Sequence, residues 1–229
     1  MRALLAVANL GKVVTIFCII GLCAKALPAT TLVYEYSSTF AGEMPVTSSP
    51  WLRATFDDLG ASGTVNLKVE GLSLAPEEFV NSLYFNLDPA MSAQALSFGN
   101  ASLVGGIKFD GISHGSDAIA VQGGGKFDMW FAFTAMPGDA VRFGLGDSFS
   151  IDVSGPGLTA ESFDFPSSPE NGSGEFYTAA RIRQFQDASL PTVDVSSWVT
   201  VPEPSTFLLA ALAGTGLLAF RRRAPCGPQ

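Results

Sequence analysis

Phe127-Asp128-Met129-Trp130-Phe131-Ala132-Phe133 is the stretch on which the fold turns. Successive side chains of a strand point to opposite faces. A period of two therefore lays Phe127, Met129, Phe131 and Phe133 along one face of a sheet. The same period returns at Val65, Leu67 and Val69, at Leu83, Phe85 and Leu87, and at Phe149, Ile151 and Val153. Immediately upstream, Gly123-Gly124-Gly125 lacks the lysine, the spacing and the following helix of a phosphate loop. It reads as a hairpin turn into the strand that starts at Lys126.

Outward from these runs, Gly, Pro, Ser, Asn and Asp clusters recur roughly every 8 to 15 residues, the punctuation of an all-β chain. Further strands are expected at 32–37, 52–57, 95–98, 103–109, 140–144, 162–165 and 175–185, about nine to eleven in all. One helical turn is expected at Pro76-Glu77-Glu78-Phe79-Val80, where proline precedes two carboxylates at a positive dipole end. Residues 167–174 read as an exposed loop. The expected fold is all-β: an antiparallel β-sandwich, jelly-roll-like, followed by a C-terminal apolar helix.

The two ends of the 229-residue chain have a different composition. Arg2 and Lys12 precede an apolar run from Val13 to Ala24, and Ala24-Lys25-Ala26 offers small residues at the two positions that a signal peptidase reads. Residues 1–26 are thus expected to be a cleaved signal peptide, with Ala24 and Ala26 at the cleavage site. The sandwich is expected over 27–186 and a stalk over 187–201, in which Trp198 either packs on the body or sits at a membrane interface. Residues 202–229 form the tail. Pro202-Glu203-Pro204 opens it, an apolar run from Phe207 to Phe220 follows (a helix over 206–220), and Arg221, Arg222 and Arg223 close it. At ~1.5 Å per residue this run spans about 21 Å, less than the ~30 Å hydrocarbon core, which suits a temporary stop. The three arginines are expected to stay cytoplasmic.

This tail resembles the PEP-CTERM sorting domain of exopolysaccharide-producing Gram-negative bacteria: Pro202-Glu203-Pro204 matches its signature tripeptide, Phe207 to Phe220 its helix and Arg221 to Arg223 its basic end. The same tail is also labelled an ice-binding protein C-terminal domain, a name for the tail that implies no ice binding. The resemblance implies recognition by an exosortase, a membrane protease-transpeptidase, with cleavage near the tripeptide. The processing partners are then signal peptidase and exosortase. Membrane insertion is transient, at the inner membrane, and the destination is the cell surface or extracellular matrix. Between Trp130 and Phe185 the body resembles a class of PEP-CTERM proteins with no assigned activity. Phe127-Asp128-Met129-Trp130-Phe131, Phe149-Ser150-Ile151-Asp152, Gly157-Leu158-Thr159 and Ala179-Ala180-Arg181-Ile182 carry that likeness, with Arg181 where the class has a histidine.

Charge and chemistry narrow the function. Between Leu27 and Val201 stand 7 Lys+Arg against 20 Asp+Glu, a net of −13, which argues against nucleic acid as partner. The cysteines, Cys18, Cys23 and Cys226, all lie in the end segments, so the body has neither a disulfide nor a thiolate site. His114, the one histidine, stands in Gly111-Ile112-Ser113-His114-Gly115-Ser116-Asp117. It is expected to be a solvated loop residue, since triad members meet in space rather than crowd one turn. Asp57-Asp58 and Glu77-Glu78 are paired in sequence, but glycosidase chemistry needs two carboxyls facing each other across a cleft. No D-x-D-x-D-G calcium loop occurs. No enzyme activity, metal or cofactor is expected. The expected role is structural or interactive at the cell surface. The alternative is a carbohydrate-binding module in an exopolysaccharide matrix, for which Trp51 and Trp130 either stack on sugar or pack the core.

Overall fold

The computed structural model describes residues 29–60, 63–134, 141–170, 172–185 and 194–202. The expected signal peptide with Ala24 and Ala26, residues 187–193 of the expected stalk, the apolar helix 206–220, Glu203, Pro204 and Arg221 to Arg223 lie outside the described residues. Among those described, no helix is long and apolar enough to cross a membrane.

Among the described residues twelve strands form two antiparallel sheets, so the all-β sandwich holds. The first sheet contains β1 (Thr31–Tyr36), β3 (Leu52–Asp57), β4 (Thr64–Gly71), β10 (Ser148–Ser154) and β6 (Ser97–Phe98) in that order. β7 (Ser102–Val104) is also paired to β10. The second runs β2 (Ser38–Gly42), β12 (Asp194–Thr200), β11 (Thr178–Phe185), β5 (Glu78–Phe85), β9 (Gly125–Phe133) and β8 (Phe109–Val121). The chain crosses between the sheets at Ser37, where β1 passes directly into β2.

The quoted stretch behaves as its period demands. Met129, Phe131 and Phe133 are buried in the space between the sheets, while Asp128, Trp130 and Ala132 are half-buried on the other face. Phenylalanine dominates this space. Phe131 lies 5.7 Å from Phe85 and 5.9 Å from Phe149, and Phe56 stacks on Phe163 at 4.2 Å. Edge-to-face and offset pairs of this kind are favourable beyond their buried area. Phe127 does not join this space; beside it the β8–β9 pairing shifts register between His114 and Ile119. Its ring joins a second, smaller apolar cluster with Tyr84, Val121 and Ala179.

The strand expected at 140–144 is, among the described residues 141–144, only a single bridge from Phe143 to Val80, and other expectations change too. The helical turn at 76–80 is instead the start of β5. Glu78 Oε2 accepts the N–H of Ala75 at 2.8 Å and Oε1 that of Val46 at 2.8 Å, which ties the turn down, and Phe79 and Val80 run on extended into the core. The strand expected at 162–165 is a short 3-10 helix, Ala160–Phe163, closed by a reciprocal Thr159–Ser162 capping box. The stalk is the largest change: from Asp194 to Thr200 it is a strand inside the second sheet, bonded on one side to β11 and on the other to β2. Close approach makes this possible at Gly42 (φ +80°), where a Cβ would stand 2.0 Å from the carbonyl oxygen of Ser196.

Candidate functional site

The sorting tail leaves the sandwich from β12, so the site is built on how that strand ends. Val199 and Thr200 are buried, and Thr200 donates its hydroxyl to the carbonyl of Thr178 at 2.6 Å. Ser197 donates to the carbonyl of Glu43. Val201 still contributes to the core; Pro202 is exposed. The motif therefore begins two residues after the last residue of β12, with no intervening stalk.

Here the tail meets the edge of the other sheet. Ser37 N–H donates to Thr200 C=O at 3.1 Å, and a shallow groove opens beside it. Leu32, Val33, Tyr34 and Glu35 of β1 line one side, Asp164 and Pro202 the other. Tyr34 donates its hydroxyl to the carbonyl of Phe163 at 2.9 Å. Burial, and then the neighbouring Asp164 carboxylate, hold its phenol well above the ordinary range, so it lines the groove as a neutral donor. β1 pairs only with β3 and is an edge strand of its sheet.

A second feature lies on the outer face of the second sheet. Cross-strand register brings Trp198 beside Arg181, Arg181 beside Ser82, and Tyr84 beside Trp130. The Arg181 guanidinium lies 5.5 Å from the centre of the Trp198 ring and donates to Ser196 Oγ at 2.9 Å. Trp198 stands 5.6 Å from Tyr84 and 6.2 Å from Phe40, which stacks on Phe176 at 4.4 Å. Of the two readings of Trp198, the body takes it. The indole N–H of Trp130 is buried with no hydrogen-bond partner among the described residues. Trp51 is a core residue, 1% exposed, with its indole N–H on the carbonyl of Thr47.

The remaining candidates are dispersed. His114 sits in strand β8 rather than in a loop. Its Nδ1 is 2.9 Å from the carbonyl of Ala93 and its ring lies against Phe98. Ser116 donates to Gln94, and Asp117 N–H to Asp128, so serine, histidine and aspartate form no relay. Asp57 and Asp58 are each engaged with backbone: Asp57 accepts from Leu59 two residues on, Asp58 from Gly60 and from the distant Thr30. Glu77 is exposed and Glu78 buried. Asp128 has one oxygen on the N–H of Leu87 and the other on that of Asp117; burial raises its carboxyl above the usual range, with those N–H groups opposing. No group of three metal-ligating acids, histidines or cysteines lies together among the described residues. Ser167, first residue of the expected loop, is buried and bridges the carbonyl of Gly124 and the N–H of Phe176.

Sequence reasoning located the tail but missed the strand that delivers it and the edge it passes. The available signal was the alternation Val195, Ser197, Val199, Val201, obscured by Ser196 and Ser197.

A family model of the PEP-CTERM protein-sorting motif matches residues 200–223. It covers the tail and the end of β12 and leaves the rest of the sandwich unmatched. No curated protein and no solved structure matches the chain.

Proposed function

Because the chain carries a PEP-CTERM sorting motif, which marks a protein exported and sorted to the cell surface through an exosortase, we propose that the sandwich is the cargo. An exosortase cuts near Pro202-Glu203-Pro204, and the released domain works at the surface or in the extracellular matrix through its faces rather than by catalysis. One observation supports this above the others: β12 closes the second sheet at Thr200, so a cut in the motif removes no described strand. The tail acts as a transient inner-membrane stop in a Gram-negative cell, with Arg221 to Arg223 on the cytoplasmic side. Signal peptidase removes residues 1–26.

Mass spectrometry of the native protein from cells and medium tests this. The expected mature ends lie near Leu27 and Pro202, and deletion of Arg221 to Arg223 is expected to stop the C-terminal trimming. A full-length chain retained in the membrane would overturn the reading.

A second reading, saccharide binding in an exopolysaccharide matrix, draws support from the outer face of the second sheet. There Trp198 and Trp130 are half-buried, with Arg181 over the Trp198 ring and bonded to Ser196. Aromatic faces with polar groups at their rims suit the apolar and hydroxyl faces of sugar rings. A glycan array probed with the protein and with Trp198→Ala separates the readings: binding lost in the variant favours saccharide recognition, and no binding by either rejects it.

A further inference from the structure

Among the described residues, the backbone of β1 has one satisfied side and one open side. Thr30 C=O accepts from Asp58 N–H at 3.2 Å and Tyr36 C=O from Trp51 N–H at 2.9 Å, so the even-numbered residues of this strand turn their backbone groups to β3. Alternation then points the N–H and C=O groups of Thr31, Val33 and Glu35 away from β3. Ser37 is next in that series, and it is the residue whose N–H meets Thr200 C=O. Among the described residues no bond of this kind continues from Glu35 to Pro202.

An open edge of this composition invites pairing. Thr31-Leu32-Val33-Tyr34-Glu35-Tyr36 consists almost wholly of good strand formers with one charge, and Val33 is 48% exposed. β12 is antiparallel to β2, which continues β1, so an extended chain leaving Thr200 would run antiparallel along this edge. In that register the residues turning their backbone groups to β1 are Thr200, then 202, then 204. Positions 202 and 204 are both proline. A proline nitrogen has no hydrogen, so the carbonyls of Glu35 and Val33 would meet no donor at either step. The N–H of Glu203 would face the other way.

We propose that the two-residue spacing of Pro202 and Pro204 keeps the sorting segment from zipping onto the open edge of β1 and so leaves the cleavage point reachable by the protease. The inference rests on the sorting reading and assigns the prolines a duty toward the folded domain, separate from recognition by the enzyme. The strand period and the proline spacing are equal, so both missing donors fall on the same edge.

A single valine inserted between Val201 and Pro202 tests this with the tripeptide intact. It moves the prolines out of phase and turns two N–H groups, those of the new valine and Glu203, toward β1. Two readouts are needed: amide hydrogen exchange at Val33 and Glu35 in the unprocessed full chain extracted into detergent, and the fraction of chain trimmed near Pro202 in cells. The expected result is exchange slowed by about tenfold or more, with trimming reduced severalfold. Adding Val33→Pro, at a position whose N–H makes no bond to β3, is expected to restore fast exchange at Glu35, the amide that remains to be read, and to restore trimming. Unchanged exchange in the insertion variant overturns the proposal, and so does slowed exchange with undiminished trimming. A native chain that is never trimmed near Pro202 would instead sink the sorting reading, and the exchange comparison would still decide whether the prolines hold the segment off β1.

Discussion

Asp58 accepts N–H groups from Thr30 at 2.8 Å and Gly60 at 3.0 Å, and these bonds, Thr30's foremost, hold its carboxyl below the usual range. A depressed carboxyl adds stability above its unfolded value of about 3.9, and that stability drains as pH falls through the folded value. Asp58→Asn is therefore expected to lower the melting temperature at pH 7 and to lose less on acidification to about pH 3, read by thermal denaturation at both pH values. Tyr36 gives the opposite limb. Its hydroxyl lies 2.5 Å from Thr178 Oγ1, which itself donates to the carbonyl of Tyr84 at 2.8 Å, so Tyr36 is the donor in a bond that ties the two sheets together. Burial raises its phenol. A raised phenol gives stability that is whole below its unfolded value near 10 and lost as pH climbs beyond it. Tyr36→Phe is expected to cost about 1 kcal/mol at neutral pH and to flatten the alkaline loss, checked by urea denaturation at neutral and alkaline pH.

Among the elements, β9 and β12 show opposite degrees of legibility. The period of β9 was plain because its inward positions are large aromatics and methionine. Phe131, fully buried, holds the middle of that strand, and Phe131→Ala is expected to cost about 3–5 kcal/mol, a large part of a typical domain's ~5–15 kcal/mol, measured by denaturant titration. β12 was hidden because Ser197 fills an inward position; its hydroxyl is satisfied by a carbonyl of another segment, which no local pattern reveals. β8 was missed for a related reason: Phe109 to Val121 is rich in Gly, Ser and Asp and lies at the edge of its sheet, where one unpaired side tolerates polar residues. The sorting motif could be read directly, being linear. The outer aromatic face could not, since Arg181 and Trp198 meet only through strand register. A chain stopped after Pro202 is expected to melt like the intact domain, whereas one stopped before Asp194 should show no cooperative transition, because β2 and β11 both lose a partner. Circular dichroism on heating distinguishes them.

Across the whole molecule, charge is segregated. The full chain carries −8, yet the six basic residues outside the 27–201 body sit in the two end segments, so trimming both leaves a net of −13. The mature form is expected to focus at a lower pH than the precursor, whose sequence value is about 4.5; isoelectric focusing of matched cell and medium fractions reads this directly. Loss of the ends also leaves a strongly anionic particle that resists self-association through repulsion.

The crossing at Ser37 and the place of β12 have a consequence in time. Of the described strands β2 is among the earliest to be synthesised and β12 is the last, yet the two are neighbours in one sheet. A polypeptide threaded from its N-terminus keeps a gap between β2 and β11 until residue 200 has emerged. Assembly thus waits on the final strand of the sandwich, and the second sheet is completed only as the sorting motif begins to emerge.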